Sequence, residues 1–343
     1  MEAVIVSQNK KDDWNEYVTN HPDTISWHIY EFHKVIENNY KTTYYPLAVY
    51  QGGKVCGILP LYHVRTLRTK DLLISCPYVV AGGIIADNDD AKAVLLEKAI
   101  SLSKQHNSCQ IILKQYKVKN NLDLLTDENF YNRELNIQQS EDTLWAGLAE
   151  RNQQMIQEAE KYDLVFEYPS NNVQGFYDVV FAQHHDKGIP CSSRKWIESK
   201  WRFEEYSYNI ALLKYKGEIV SVTMAKQFKK TVSFPYSAMK KQNRQHEIFT
   251  YKLYWELIKR LSREGIEIMH SGRIPNTDIV DEYRLGWGGV KHQYYYQYYP
   301  STGVQTEFAV KRGKKRQLFE KVWKHLPKQL VSLVGPVIVE QFP

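Results

Sequence analysis

The sequence contains the same supersecondary pattern twice, and this repetition limits the folds that the chain can adopt. Residues 47–61 and residues 211–225 each read as a strand, a turn and a strand. In each segment a glycine, Gly53 or Gly217, precedes a charged residue and a β-branched run. Glycine suits this position because a tight hairpin turn requires a positive φ angle. Both segments are therefore predicted to form β-hairpins.

The segments that follow the two hairpins also match each other. Apolar residues with helical spacing occur at residues 95–102 and at residues 254–261, and each group is followed by a strand-like segment. Such spacing is typical of an amphipathic helix that packs on a sheet. The agreement predicts two tandem α/β domains that arose by duplication. Coincidence between two ordinary α/β segments is the alternative.

The length of 343 residues, with 43% hydrophobic residues, is sufficient for two such domains. We predict domain 1 at residues 1–165, domain 2 at residues 166–310 and a basic C-terminal helical extension at residues 311–343. Residues 141–161 are predicted to form one helix. A turn at residues 169–172 is predicted to mark the hinge between the domains.

Composition indicates a cytoplasmic protein without a metal site. The first ten residues lack a basic region followed by an apolar one, and no run approaches the ~18 apolar residues of a membrane span. The four cysteines show no C-x-x-C spacing and are predicted to be buried, reduced thiols: Cys56, Cys76, Cys109 and Cys191.

The net charge of +6 is concentrated near the C-terminus. Residues 311–328 contain eight lysines and arginines and one acidic residue, Glu320. One interpretation is a solvated helix face. The other is contact with an anionic partner: RNA phosphate, a polyanionic glycan, or an acidic membrane at whose inner face the protein would be peripheral. The apolar residues 330–339 are interrupted by Gly335-Pro336 and are too few to cross a bilayer.

Tyrosine occupies the alternate positions Tyr294, Tyr296 and Tyr298 between His292 and Tyr299. This pattern predicts a β-strand with one aromatic face. A stacking platform for bases or sugars is the alternative.

The densest group of candidate functional residues directly follows a predicted strand, at Ser271-Gly272-Arg273. The carboxyl ends of strands in α/β sheets are where anionic groups are usually met. Arg273 is therefore predicted to orient a carboxylate or a phosphate. A buried ion pair with Asp278 or Asp281 is the alternative.

These residues belong to an ordered series of short motifs along the chain. Gly-x-Leu-Pro-Leu at residues 57–61 is followed by Ser75-Cys-Pro and Gly82-Gly83, and Ser-Gly-Arg by Tyr283-Arg284 and Trp287-Gly288. The series resembles that of the FemAB-like (BioF2-like) proteins, which are tandem acetyltransferase-fold (GNAT) proteins related to the Fem aminoacyltransferases of peptidoglycan synthesis. The C-terminal motifs, around Trp323 and Gly335-Pro336, resemble the exopolysaccharide-associated subgroup of that family.

The resemblance implies an α/β protein with two tandem GNAT (acyl-CoA N-acyltransferase-like) domains and mixed β-sheets. It also implies transfer of an acyl or aminoacyl group from acyl-CoA or aminoacyl-tRNA to an amine. The acceptor would be a small-molecule or lipid-linked envelope precursor, either a glycan or a peptidoglycan stem peptide. Such a reaction requires a deprotonated amine and hydrogen-bond donors directed at the developing oxyanion.

The resemblance also indicates site residues. Arg284 matches a lysine that the family places near the reacting centre, and arginine keeps the charge but cannot act as a base. Arg273 and Arg284 are the candidate catalytic residues. Six further residues are predicted to line a cleft near the domain junction and to bind substrate: Ser75, Tyr78, Gly82, Gly83, Tyr236 and Trp287.

Two departures from the family pattern bear on the donor and on activity. Residues 153–159 lack the basic residues of the matching family helix, and neither half contains the acetyl-CoA signature Q/R-x-x-G-x-G/A. A non-catalytic GNAT-fold binding protein in polysaccharide or envelope biosynthesis is therefore the alternative function.

Overall fold

A computed structural model of the chain describes residues 1–65, 67, 71–108, 110–203, 207–241, 243–276, 282–300 and 314–343, with only the backbone of residues 282, 283, 314 and 315. The elements of the first part of the chain are β1 (Ala3–Ile5), α1 (Lys11–Asn20), α2 (Phe32–Glu37), β2 (Thr42–Gln51), β3 (Lys54–Arg65), β4 (Asp71–Ser75), β5 (Ile85–Ala86), α3 (Asp89–Gln105), β6 (Gln110–Tyr116), β7 (Leu125–Asp127) and β8 (Phe130–Asn136).

The second part of the chain is richer in helix. Its elements are α4 (Glu141–Ala146), α5 (Glu150–Ala159), β9 (Leu164–Ser170), α6 (Val173–Lys187), α7 (Arg194–Trp201), β10 (Tyr208–Tyr215), β11 (Glu218–Phe228), β12 (Thr231–Met239), α8 (Arg244–Arg263), β13 (Ile268–His270), β14 (Ile274–Pro275), α9 (Glu282–Leu285), β15 (Val290–Tyr299), α10 (Lys314–His325) and α11 (Lys328–Glu340).

The chain divides into two compact units that are discontinuous in sequence. The first contains Met1–Tyr131, the segment that begins at His292, and Glu340–Pro343. The second contains Asn132–Lys291 and the helices of the C-terminal segment as far as Val339.

The sheet of the first unit is built on the first predicted hairpin. Strands β1, β2, β3 and β4 are antiparallel neighbours in that order. Strand β4 then pairs in parallel with β6, which follows helix α3, and β6 pairs antiparallel with β15. The buried faces of α3 and of these strands form the core of this unit. The hairpin and the helix predicted here are confirmed.

The sheet of the second unit repeats this order. Strands β9, β10, β11 and β12 are antiparallel neighbours, and β12 pairs in parallel with β13, which follows helix α8. Strand β13 then pairs antiparallel with β8. An asparagine caps the long helix of each unit, Asn88 for α3 and Asn243 for α8, by accepting a backbone N–H with its side chain. The mixed α/β fold with this repeated topology agrees with the predicted fold class.

The last strand of each sheet comes from outside the repeated segment. Strand β15 follows the second repeat in sequence and completes the first sheet, while β8 precedes the second repeat and completes the second sheet. The predicted boundary at residues 165 and 166 lies within β9, which pairs with β10 in the second unit. The compact units therefore have other limits than the predicted domains. That the two sequence repeats span residues 1–165 and 166–310 stays a prediction.

Two local predictions are wrong. Residues 141–161 form two helices, because the N–H of Ala149 donates to the carbonyl of Gly286 at 2.9 Å and not to a carbonyl of the preceding turn. The predicted turn at Pro169 is part of β9, an edge strand, where the absence of an N–H is tolerated. Helix α11 continues through Pro336, and a Cβ added to Gly335 would lie 3.1 Å from the carbonyl oxygen of Cys191.

Three alternate tyrosines of β15 are buried. Tyr294, Tyr296 and Tyr298 are 5%, 1% and 0% exposed, and the hydroxyl of Tyr296 donates to the carbonyl of Val80 at 2.9 Å. The predicted strand with one aromatic face is confirmed. The stacking platform is wrong, because buried rings cannot receive a base or a sugar.

Cys56, Cys76 and Cys191 are buried thiols, as predicted, and Cys109 lies outside the described residues. Lys311 and Arg312 of the basic segment also lie outside the described residues.

In the described part of the chain, none of the helices has both the length and the apolar character that crossing a bilayer requires.

Helix α10 packs on the C-terminal end of α6. Gly188 ends α6 with a φ of 73°, and a Cβ added there would lie 2.3 Å from the carbonyl oxygen of Glu320. The Nε2 of His185 lies 3.0 Å from the carbonyl oxygen of Leu326, and Trp323 is buried. The absence of a side chain at Gly188 is therefore required for the close approach of the two helices.

The substitution Gly188→Ala tests this packing, with Gly265→Ala as its matched control. Gly265 follows α8 with a similar φ of 84° but has open space around its Cα. Both variants carry the strain of alanine at positive φ, whereas only Gly188→Ala also overlaps a backbone oxygen. We expect Gly188→Ala to lower the free energy of unfolding, measured by urea denaturation, by at least about 2 kcal/mol more than Gly265→Ala. Equal losses of unfolding free energy in the two variants would contradict the close packing of α10 on the end of α6.

Candidate functional site

The structure brings four of the predicted substrate-binding residues into one loop of the first unit, residues 75–83. Ser75 Oγ accepts the backbone N–H of Lys114 at 2.8 Å, and the N–H of Gly82 donates to the carbonyl of Lys114 at 3.0 Å. The Lys114 side chain is only 3% exposed, and its Nζ donates to the carbonyl of Val79 at 3.1 Å. Lys114, which sequence reasoning missed, therefore fastens this loop to strand β6.

The two glycines of the loop are required by close packing. A Cβ at Gly82 would lie 2.5 Å from Cys76 Sγ, and a Cβ at Gly83 would lie 2.5 Å from the side-chain amide of Gln115. The carbonyl of Gly83 lies 3.1 Å from Nε2 of the buried His28. The Gly-Gly motif thus has a structural role in the loop, and its contact with substrate stays a prediction.

Tyr78 lies at the centre of the same loop, with a φ of 62°. Its ring stacks on that of Tyr40 with 3.7 Å between centroids, and its hydroxyl donates to the carbonyl of Glu340 at 3.2 Å. Burial raises the pKa of Tyr78, so the phenol stays protonated at neutral pH.

The other four predicted residues lie in the second unit. Arg273 follows Gly272, whose φ is 81°, and its carbonyl accepts from Arg284 Nη1 at 2.9 Å. Both arginine side chains are partly buried. Asp278 and Asp281, the alternative partners of Arg273, lie outside the described residues, as does the side chain of Tyr283. The two predicted catalytic arginines are therefore neighbours, and their catalytic role stays a prediction.

Two further basic residues belong to this region. Burial, and then the positive charge of Arg284, lower the pKa of Lys187 at the end of α6. Arg133 donates from Nε to the carbonyl of Gly288 at 2.9 Å and from Nη2 to that of Gly289. Arg133 thereby fixes the turn that follows Trp287. The positive charge of Arg273, Arg284 and Lys187 favours an anionic ligand.

Trp287 lies in the core of the second unit and is 3% exposed. Its ring centroid is 5.8 Å from that of Tyr254, whose hydroxyl lies 2.5 Å from Ser237 Oγ. Ser237 lies 2.7 Å from Thr223 Oγ1, which in turn donates to the carbonyl of Tyr236 at 3.0 Å. A continuous series of contacts therefore connects Trp287 to Tyr236.

The hydroxyl of Tyr236 is the centre of a polar cluster between β12 and α7. It accepts from Trp196 Nε1 at 3.0 Å and lies 3.4 Å from Lys200 Nζ. The side chain of Ser192 also bonds to it. Lys200 is 4% exposed, and its Nζ lies 4.1 Å from the centroid of the Trp196 ring. Tyr236, Trp196, Ser192 and Lys200 are called the lysine–tyrosine cluster below.

Burial lowers the pKa of Lys200 to about 7. A charged ammonium loses its hydration in such a place, and an aromatic face offsets only part of that loss. Burial also raises the pKa of Tyr236, which keeps the phenol protonated. At neutral pH the cluster thus combines an amine that can accept a proton with a hydroxyl that can donate one.

Sequence reasoning selected Tyr236 but missed Lys200 and Trp196. A signal was present, because Trp196, Ile197 and Lys200 share one face of a short amphipathic helix, and this face is buried. A lysine on an apolar helix face is more often a surface residue with a buried stem, so the pattern alone did not single it out.

Solved structures with a similar fold include FemX, with a TM-score of 0.67 and 12% identity over 86% of this chain and 97% of that one. The C-terminal domain of a putative lysylphosphatidylglycerol synthetase from Agrobacterium fabrum has a TM-score of 0.56 and 10% identity, covering 84% of this chain and 91% of that one. A tandem GNAT protein from the clavulanic acid biosynthesis pathway has a TM-score of 0.53 and 11% identity, covering 86% and 97%.

No protein-family model matches the chain, and no curated protein matches it. At these identities the structural likeness shows the fold, and the predicted GNAT-type fold class is confirmed. The described residues bring together no group of three or more His, Cys, Asp or Glu side chains able to hold a metal ion.

The pH dependence of stability tests the environment of Lys200. The pKa of Lys200 is about 7 in the folded protein and has the ordinary lysine value of 10.5 in the unfolded chain. Between these two pH values the unfolded state therefore binds more protons than the folded state. The contribution of Lys200 to the free energy of unfolding therefore rises with pH in this window, by up to about 1.4 kcal/mol per pH unit. We expect Lys200→Met to remove that slope from unfolding curves, whereas Lys195→Met, an exposed position on the same helix, leaves it unchanged. If the free energy of unfolding changed equally with pH in the wild type and in Lys200→Met, this result would contradict the lowered pKa of Lys200.

Proposed function

We propose that this protein is an N-acyltransferase or aminoacyltransferase that transfers an acyl group to an amine of a cell-envelope precursor. The observation that carries the proposal is the lysine–tyrosine cluster, which places a buried amine with a pKa of about 7 beside a protonated phenol in a GNAT-type fold. The motif resemblance to the FemAB-like proteins supports the same reaction class.

In the proposed reaction the acceptor nitrogen forms a bond to the acyl carbon and must lose a proton. The Tyr236 hydroxyl would donate its proton to neutral Lys200 and receive the proton of the acceptor amine. The resulting tetrahedral intermediate collapses as the bond to the thiol or hydroxyl of the donor breaks. The Lys200 ammonium returns its proton, through Tyr236, to that leaving group, so the cluster is regenerated.

Arg273 and Arg284 would stabilise negative charge on the donor or on the oxyanion. The bond from Arg284 Nη1 to the Arg273 carbonyl holds the Arg284 guanidinium against the backbone of Arg273. Arg133 would position the turn beside them through its bonds to Gly288 and Gly289.

Two donor classes fit the positive charge of this region, because acyl-CoA and aminoacyl-tRNA both carry phosphates. One structural neighbour is described as a tandem GNAT protein without AcCoA, and another by its name makes lysylphosphatidylglycerol. The acceptor would be a glycan or stem-peptide precursor, soluble or lipid-linked, in an exopolysaccharide or peptidoglycan pathway at the cytoplasmic face of the membrane. Ser75, Tyr78, Gly82 and Gly83 of loop 75–83 in the first unit, and Tyr236 and Trp287 in the second, stay proposed substrate-binding residues.

Donor binding is the first test of this function. We expect either acetyl-CoA or an aminoacyl-tRNA, but not both equally, to stabilise the protein in thermal-shift titrations, by about 2.7 kcal/mol at one hundred times its dissociation constant. Uncharged tRNA and free CoA serve as controls for phosphate contacts alone. If no donor stabilises the protein, the alternative of a non-catalytic binding protein replaces the proposal.

The arginines are tested by turnover with that donor and a panel of amino sugars and stem peptides. Arg284→Ala and Arg273→Ala should each reduce turnover by roughly 10²-fold, because each removes a charge that stabilises the transition state. Arg284→Lys should retain more activity than Arg284→Ala. Arg263→Ala, at an exposed ion pair with Glu141, is the control. Folded alanine variants with wild-type turnover would remove these residues from the mechanism.

The pH profile of the same reaction tests the lysine–tyrosine cluster. Turnover should rise with pH as Lys200 loses its proton near its pKa of about 7 and should then level off. Lys200→Met and Tyr236→Phe should each reduce turnover by about 10² or more and abolish that rise. Lys195→Met should keep the wild-type profile. A rise that persists in Lys200→Met would assign the base to another group.

A further inference from the structure

Helix α11 exposes one apolar face. Leu330, Leu333, Val334 and Val337 recur at i, i+3, i+4 and i+7, and they are between 37% and 73% exposed. The helix is held on the second unit through other positions, the buried Val331 and Gly335. The exposed stripe is therefore not the face that packs on the protein.

Helix α10 repeats this arrangement. Leu318, Phe319 and Val322 are 64%, 40% and 53% exposed, while Trp323 is buried. Together α10 and α11 hold seven of the seventeen large apolar side chains that are exposed in the described part of the chain. Scattered exposed apolar residues are normal, but a concentration of this kind marks an interaction surface.

The charge carried by the two helices is positive. Exposed basic side chains stand beside the apolar residues, whereas the single acidic residue between residues 314 and 339, Glu320, is buried and lies 3.0 Å from Arg316 Nε. The exposed basic residues are Arg316, Lys321, Lys324 and Lys328. No carboxylate is thus exposed among residues 316–339 to repel an anionic partner.

We propose that α10 and α11 form a docking surface for a bilayer that contains anionic lipid. Exposed apolar side chains flanked by lysines are the pattern of helices that lie in the membrane interface, where the apolar face enters the acyl region and the lysines meet the headgroups. Each lysine near such a surface contributes about 1 kcal/mol. With 13 residues, α11 is suited to lie along the interface.

This surface goes beyond the proposed transfer reaction and does not depend on it. Helix α10 packs on the end of α6 through Gly188 and Glu320, and residues 189–193 lead from there to α7, which carries Lys200. Docking would therefore hold the second unit at the bilayer, where a lipid-linked amine is available.

Vesicle co-sedimentation tests the proposal with the full chain. The wild type should bind vesicles of phosphatidylcholine and phosphatidylglycerol, bind pure phosphatidylcholine at least tenfold more weakly, and release the anionic vesicles as salt is raised. Leu333→Ser with Val337→Ser should weaken binding to anionic vesicles at least tenfold, because two exposed apolar side chains no longer enter the bilayer. Lys321→Gln with Lys324→Gln should weaken it by roughly thirtyfold.

The control is Gln329→Ala with Ser332→Ala, two exposed polar positions of α11 outside the stripe, which should bind as the wild type does. Sedimentation velocity without lipid measures self-association of each variant. Failure of the wild type to bind anionic vesicles would overturn the proposal, as would binding that the serine substitutions leave unchanged. A dimer that those substitutions dissociate, without vesicle binding, would assign the surface to a second copy of the chain instead.

Discussion

The burial of Lys200 against Trp196 and Tyr236 is the interaction on which the functional account depends. An ammonium group without water around it is costly, and the protein lowers that cost by releasing the proton near neutral pH. The aromatic faces and the Tyr236 hydroxyl still give the remaining charged form some stabilisation. A surface lysine would stay protonated and could not accept the proton of an attacking amine, so the proposed role of this side chain depends on its burial.

The fold of the second unit holds this cluster in place. Tyr236 lies on β12, between the hairpin strand β11 and the parallel strand β13, and α7 brings Lys200 and Trp196 to it. The contacts from Trp287 through Tyr254, Ser237 and Thr223 lead to the backbone of Tyr236. The arginine region begins where β13 ends. One sheet thus supports both the lysine–tyrosine cluster and the arginine region.

Local patterns in the sequence predicted the parts of the fold that depend on neighbouring residues. The hairpins at Gly53 and Gly217 and the helices α3 and α8 follow from turn chemistry and apolar periodicity. That β15 completes the first sheet and β8 the second could not be predicted, because pairing between strands distant in sequence leaves no periodic signal. The helix break before Ala149 likewise depends on a distant carbonyl, that of Gly286. Lys200 was missed because its burial depends on Tyr236, a residue on another element.

Titration of the Lys200 ε-carbon by NMR, in protein labelled with ¹³C-lysine and assigned by Lys200→Met, tests the central claim most directly. The account predicts a midpoint at about pH 7 for Lys200. A midpoint near the ordinary lysine value of 10.5 would show that the side chain is hydrated and charged, and would contradict the account.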